Sequence, residues 1–348
     1  MKTPFPYFGG KARIASMVWE RFGNVANLVE PFFGSGAVLL ARPTEPGIET
    51  VNDLDGLVAN FWRATQADPD AVAQWADWPS NENDLHARHI WLVGRKEGLQ
   101  AALEGDADYY DAKVAGWWLW GICQWIGSGW CSGDGPWQVV DGKLVNGGEG
   151  GVSRKRVHLG DAGQGIYRQR GHLGDAGQGI NRQRVHLGNA GRGINRQADA
   201  GTEQEWSDHT QAMMRQLRDR MRRVRVCCGD WSRPLFPSFT KLGLTGVFLD
   251  PPYSLEADRD MGLYTVDSGT VAHDVRRWAI EHGDNPLMRI ALCGYDGEHA
   301  MPDTWEAVAW KAAGGYGNQG DGKGRENAAR EVVWFNKSCL PPVQQRLF

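Results

Sequence analysis

The chain has 348 residues, enough to bury a large core in one domain or two. Its net charge of −4 excludes a globally cationic nucleic-acid binder, so any DNA-facing surface has to be local. No apolar run approaches the roughly 20 residues that cross a bilayer, and Met1-Lys2-Thr3-Pro4 opens no signal-peptide core, so a soluble intracellular protein without membrane association is expected.

The first segment, Phe5-Pro6-Tyr7-Phe8-Gly9-Gly10-Lys11, pairs glycines that let backbone approach a ligand with a lysine placed to neutralise a carboxylate. A helix is expected over 12–22. Asn27-Leu28-Val29-Glu30-Pro31-Phe32-Phe33-Gly34-Ser35-Gly36 then reads as a short strand, a Gly-x-Gly turn and a helix start. That is the first crossover of a Rossmann-like sheet, where ligands bind at the carboxyl ends of strands. With two glycines rather than three, the dinucleotide fingerprint is incomplete. A second strand over 49–55 ends in acid; Asp53 is the choice for holding ribose hydroxyls, with Asp55 second. A solvated turn acid is the bland alternative.

Residues 57–115 read as helical, with amphipathic stretches over 57–67 and 83–103. Six of the chain's 17 tryptophans fall within 116–137, where a buried helix is expected to run into a Gly-rich loop. Two readings stand for Trp125, Trp130 and Trp137: core of a small helical subdomain, or rings that wedge against DNA. From Arg156 a unit of 14 residues repeats at Arg170 and Arg184, marked by His158, His172 and His186. Between 154 and 197 lie nine cations, including Arg156, Arg168, Arg170, Arg182 and Arg184, against Asp161 and Asp175, a local charge of +7. Such a stretch suits phosphate contact; a low-complexity insertion without defined contacts is the alternative. The histidines read as solvated, not as metal ligands. The 6 cysteines show no C-x-x-C spacing, which predicts reduced thiols and no zinc site.

A charged amphipathic helix is expected over 205–223 and a strand over 224–228, closed by Asp230-Trp231. The apolar run Val247-Phe248-Leu249 reads as a buried strand stopped by Asp250-Pro251-Pro252-Tyr253. A carboxylate, carbonyls without competing N–H groups and an aromatic ring suit a flat heterocycle bearing an amino group. A polar segment over 258–270, a helix over 271–282, a strand over 288–293, a basic Gly-rich loop over 314–325 and a last strand over 331–336 follow.

The aromatic-x-Gly-Gly-Lys segment, the E-P-F-x-G-x-G turn, the acidic strand end and D-P-P-Y occur here in one order. In that order they resemble the Dam-like, adenine-specific DNA methyltransferases, including those of phage or mobile-element type, over about 4–62 and 224–337. The resemblance implies an α/β, Rossmann-like S-adenosylmethionine-dependent methyltransferase fold with an inserted, mainly helical target-recognition region. On that basis residues 1–75 hold the cofactor-binding part, 76–150 the recognition region and 151–200 the basic repeats. Residues 201–340 hold the D-P-P-Y part, and 341–348 form a tail.

Tyr7, Lys11, Glu30, Phe33, Gly34, Gly36 and Asp53 would contact the cofactor, and Asp250 would be shared between cofactor and base. Asp250, Pro251, Pro252 and Tyr253 would be catalytic, without a metal. Trp130 and the five repeat arginines named above would meet double-stranded DNA. The segment over 258–270 resembles the loop that folds over substrate in this family, and 331–336 its closing strand. A monomer in the cytoplasm of a prokaryote or phage-infected cell is expected, with a restriction-modification setting. Cytosine N4 is the rival target, and a catalytically silent DNA-binding protein is the reading from another class.

Overall fold

The computed structural model describes residues 1–7, 10–125, 130–131, 137–140, 143–146, 203–236, 239–253, 271–311 and 330–342. Among these, seven strands form one sheet: β1 (Asn27–Glu30), β2 (Ile48–Asp53), β5 (Val224–Cys228), β6 (Thr245–Leu249), β7 (Met288–Tyr295), β8 (Glu306–Ala309) and β9 (Glu331–Phe335). Their order is β5-β2-β1-β6-β7-β9-β8. The first five run parallel, and β9 is antiparallel to both β7 and β8. Strands β3 (Trp137–Val140) and β4 (Lys143–Asn146) form a separate antiparallel pair. This is the Rossmann-like arrangement expected of the sequence.

A parallel sheet has to be covered on both faces, and strict alternation along the strands achieves it. Leu28, Phe248, Ala291, Cys293, Val333 and Phe335 enter one core. Their neighbours Val29, Val247, Leu249, Ile290, Leu292, Val332 and Trp334 enter the other. The first core packs against α1 (Ala15–Phe22), α3 (Gly56–Ala67), α7 (Ala112–Gln124) and α8 (Glu203–Met221); the second packs against α9 (Val271–His282).

Between β2 and β5 lies the insertion. Residues 57–115 are mostly helical, as the periodicity predicts, but in shorter pieces. Asp55 caps α3, Asp68 caps α4 (Pro69–Ala76), Asn81 caps α5 (Glu82–Val93) and Asp111 caps α7, each accepting a backbone N–H of the first turn. Gly94 and Arg95 part α5 from α6 (Lys96–Gly105), so the single stretch expected over 83–103 is two helices. Asn60 on α3 exchanges two hydrogen bonds with the backbone of Asp111, at 2.9 and 2.8 Å, which fixes the start of α7 to α3.

Helix α7 is the centre of the insertion. It buries Trp118, Leu119, Trp120 and Cys123, and Trp118 meets Phe5 edge to face at 4.9 Å. Gly116 is what lets α4 lie against it: a Cβ there would stand 2.3 Å from Trp75 Cβ and 2.7 Å from the Val72 carbonyl oxygen. Gly116→Ala is therefore expected to cost about 1–3 kcal/mol, although alanine is the better helix former by about 1 kcal/mol. Urea unfolding checks this, and an unchanged or raised midpoint would show that the helices separate freely.

Two elements depart from the sequence reading. The pair β3–β4 lies in a region expected to be helical and loop-like. Strand β8 was not anticipated, because four half-exposed residues at a sheet edge carry too little alternation to register.

Candidate active site

The chain leaves β1 toward β2 and β5 on one side, then returns through β6 to build the other. Strands β1 and β6 are adjacent, with Val29 opposite Val247, so their carboxyl ends flank the point where the strand order reverses. Ligands of open α/β sheets bind there. Glu30 ends one strand and Asp250 follows the other.

Lys11, in a single 3₁₀ turn after the first segment, reaches Asp250 with its ammonium 2.9 Å from Oδ1. The lysine is only 4% exposed. Burial leaves the pKa of Asp250 raised overall, although the Lys11 charge and hydrogen bond oppose the shift. The same ammonium lies 5.3 Å from the Tyr253 ring centre and 5.9 Å from that of Trp310. Tyr253 is buried; its hydroxyl donates to Glu331 Oε2 at 2.6 Å, and its ring meets Tyr295 edge-on at 4.4 Å. So the structure brings Lys11, Asp250 and Tyr253 together, and adds Glu331, Tyr295 and Trp310, to which the sequence reading gave no part.

The glycine turn forms the other half. Gly34 and Gly36 sit at φ +48° and +70°, where side chains with a Cβ are strained. A Cβ on Gly34 would stand 2.7 Å from Tyr7, and one on Gly36 2.8 Å from Phe33, so these two rings close directly on the turn. The Trp62 indole N–H donates to the Gly34 carbonyl at 2.9 Å and pins the turn to α3.

Asp53 accepts the Gly34 N–H at 2.8 Å on one oxygen and the Asp55 N–H at 2.9 Å on the other. Burial, with the neighbouring Asp55 charge, lifts its pKa to about 7. Asp55, second choice for the ribose role, is instead the N-cap of α3, its carboxylate accepting the Leu57 N–H at 2.9 Å.

Glu30 is the least compensated acid in the site. It is 2% exposed, and its Oε1 has no hydrogen-bond partner among the described residues. Burial, then the nearby Glu49 charge, lifts its pKa to about 8, while Arg220 opposes the shift. That opposition is weak because Arg220 is itself engaged by Glu49 at 2.6 Å, as is Arg42 at 3.1 Å. On the far side of the sheet end, Trp231 stacks on Phe32 at 6.3 Å and 18°.

One residue expected to meet DNA sits elsewhere. Trp130 is 6% exposed, donates its indole N–H to the Trp118 carbonyl at 3.2 Å and lies 5.3 Å from the rings of His89 and Trp125. It fills the space above Gly121, where a Cβ would stand 1.8 Å from its ring. Its placement is therefore core, the structural one of the two readings. Trp125 is half-buried, stacked on His89 at 5.0 Å. Arg156, Arg168, Arg170, Arg182 and Arg184 lie outside the described residues, as do the segments 258–270 and 314–325 and the side chain of Trp137.

No group of three or more potential metal ligands occurs among the described residues, and no helix there is long and apolar enough to cross a membrane. No curated protein matches the chain. Residues 7–88 match the family model described as D12 class N6 adenine-specific DNA methyltransferase. The matched stretch holds Tyr7, Lys11, the glycine turn and Asp53, and the sheet that carries it is the Rossmann-like one described above. Over that stretch the chain is similar to the D12 class N6 adenine-specific DNA methyltransferases.

Proposed function

We propose that the chain transfers a methyl group from S-adenosyl-L-methionine to the exocyclic N6 of an adenine turned out of double-stranded DNA at a defined sequence. The observation that carries this reading is the buried Lys11–Asp250 pair at the strand-order reversal. The adenine amino nitrogen is a poor nucleophile because its lone pair is delocalised into the ring. A carboxylate held ionised in a dry site accepts a hydrogen bond from that amino group and favours its pyramidal form. Lys11 supplies the condition: it occupies one side of Asp250 Oδ1 and holds the charge against the pull of burial, while the carboxylate keeps further lone pairs for the base. The Pro251 carbonyl is the second acceptor, and Pro252 stiffens the turn that presents it. Tyr253, its ring tilt fixed by Glu331 and Tyr295, is the stacking surface for the extruded base.

The residues around the glycine turn fit the cofactor. Glu30 Oε1, buried and without a partner, is a ready acceptor for an ammonium group. Asp53 has lone pairs left on both carboxylate oxygens for ribose hydroxyls, and Tyr7 and Phe33 wall the turn. Bound there, the cofactor supplies a sulfonium methyl that is already a strong electrophile, so alignment does much of the remaining work.

The basic repeats, with a local charge of +7 in a chain of net −4, supply phosphate contact. Deleting 154–197 is expected to flatten the salt dependence of DNA binding. Binding isotherms from 50 to 200 mM salt read this directly, and an unchanged slope would make the repeats passive. The enzyme is read as a monomer working in the cytoplasm of a prokaryotic or phage-infected cell.

Labelled S-adenosylmethionine with mixed-sequence DNA tests the whole proposal, followed by sequencing of modified bases in an expressing host. Label in N6-methyladenine within one sequence context is expected. Label in N4-methylcytosine would move the target, and no incorporation would sink the reading.

A further inference from the structure

We infer that Glu331 is a positioning residue for methyl transfer, acting through the hydroxyl of Tyr253; the inference rests on the function proposed above. Glu331 opens β9 opposite Tyr295 of β7, so the sheet register brings its side chain to the end of the strand next to β6. There its Oε2 takes the Tyr253 O–H at 2.6 Å, and both side chains are buried, at 5% and 7% exposure. Tyr253 comes from a loop after β6, where two prolines leave few backbone donors to anchor it. Three contacts hold the ring: Glu331 at the hydroxyl, Tyr295 at the edge at 4.4 Å, and the Lys11 ammonium 5.3 Å from its centre.

Of the three, the Glu331 bond is the directional one: it ties down the hydroxyl end and so limits how far the ring swings about its Cα–Cβ bond. Aromatic edge contacts and cation–π attraction tolerate wide angles. The arrangement also balances charge. Lys11 is the cation that faces both carboxylates, the half-buried Asp250 and the buried Glu331, and it stabilises the ionised form of each. Glu331 therefore fixes the plane on which an extruded base stacks and shares the cation that keeps Asp250 charged. It stands 78 residues from Tyr253, so no local motif announces the pair.

A base stacked on a ring free to rotate still binds but meets the acceptors of Asp250 and Pro251 at the wrong angle. Loss of the bond is therefore read in turnover rather than in cofactor binding. With the full-length enzyme and tritiated S-adenosylmethionine, Tyr253→Phe, which keeps the ring and drops the hydroxyl, is expected to lower kcat about 30-fold. KM for the cofactor should stay within about twofold. Glu331→Ala is expected to give a similar loss, and the double variant no further loss, because both remove one interaction. Glu331→Gln, which retains an acceptor oxygen, is expected to recover most of the turnover.

Unchanged turnover in Tyr253→Phe overturns the inference, and that variant carries the test alone if Glu331→Ala fails to fold. Additive losses in the double variant, or a Glu331→Gln as slow as Glu331→Ala, also overturn it. An inactive wild-type enzyme sinks the proposed function instead, so the two failures are distinguishable.

Discussion

Asp250→Ala is expected to lower methyl transfer at least about 1,000-fold, a loss near 4 kcal/mol of transition-state stabilisation. The side chain accepts its hydrogen bond from the amino group as that nitrogen turns pyramidal, so its contribution appears in the transition state and falls on kcat. Removing it takes away the carboxylate 2.9 Å from the buried Lys11 ammonium, which is itself destabilising. Two companions separate the effects. Asp250→Asn keeps an acceptor and should retain a small residue of activity. Asp250→Ala combined with Lys11→Met removes both charges and should restore the unfolding midpoint but not turnover. Lys11→Met alone is expected to move the acidic limb of the pH–rate profile upward, because burial raises the Asp250 pKa and Lys11 opposes it. Circular dichroism establishes folding; turnover in folded Asp250→Ala above about a hundredth of wild type would remove Asp250 from the catalytic role.

The second large effect is on stability. Burial lifts the pKa of folded Glu30 from an ordinary glutamate's 4.5 to about 8. Between those values the folded state binds one proton more than the unfolded chain, so stability falls as pH rises through that window. With 1.36 kcal/mol for each pH unit, the loss by the alkaline end is on the order of a few kcal/mol. Glu30→Gln imitates the protonated acid and carries no such dependence. It is expected to match wild type at pH 4.5 and to be the more stable protein by a few kcal/mol at pH 9, while binding S-adenosylmethionine more weakly. Urea midpoints at several pH values check the first half and calorimetric titration the second. Equal stability at pH 9 would show that Arg220 neutralises Glu30 after all.

Those two acids were legible for different reasons. Asp250 was marked by an apolar strand stopped at two prolines, Asp53 by an acidic strand end following the glycine turn, and Glu30 only by the family resemblance. The long-range members were not legible. Glu331 sits at the start of a strand already explained by its apolar residues, and its bond to Tyr253 exists only because β9 folds back beside β7. Trp310 follows the short edge strand β8, which had no periodic signal of its own.

Trp130 fails in the opposite way. A tryptophan in a Gly-rich loop looks available, and only the gap above Gly121 on α7 shows where the ring belongs. Asp55 was ambiguous because a helix cap and a ribose ligand ask for the same residue at the same strand end. The hairpin of β3 and β4 had its signal, Asp141-Gly142 between two alternating runs, but the surrounding tryptophans drew the reading toward a helix.

Strand β6 is paired on both sides, Val247 with Val29 of β1 and with Ile290 of β7. Its odd and even residues belong to different cores, Phe248 to one and Val247 and Leu249 to the other. The aim of the carboxylate that follows is therefore stored as a parity. One residue gained or lost between Thr245 and Asp250 would exchange the two cores and turn Asp250 away from Lys11, however well each side chain suited its new place. Evolution can lengthen this protein where the chain lies outside the sheet; inside β6 it can change letters but cannot change the count.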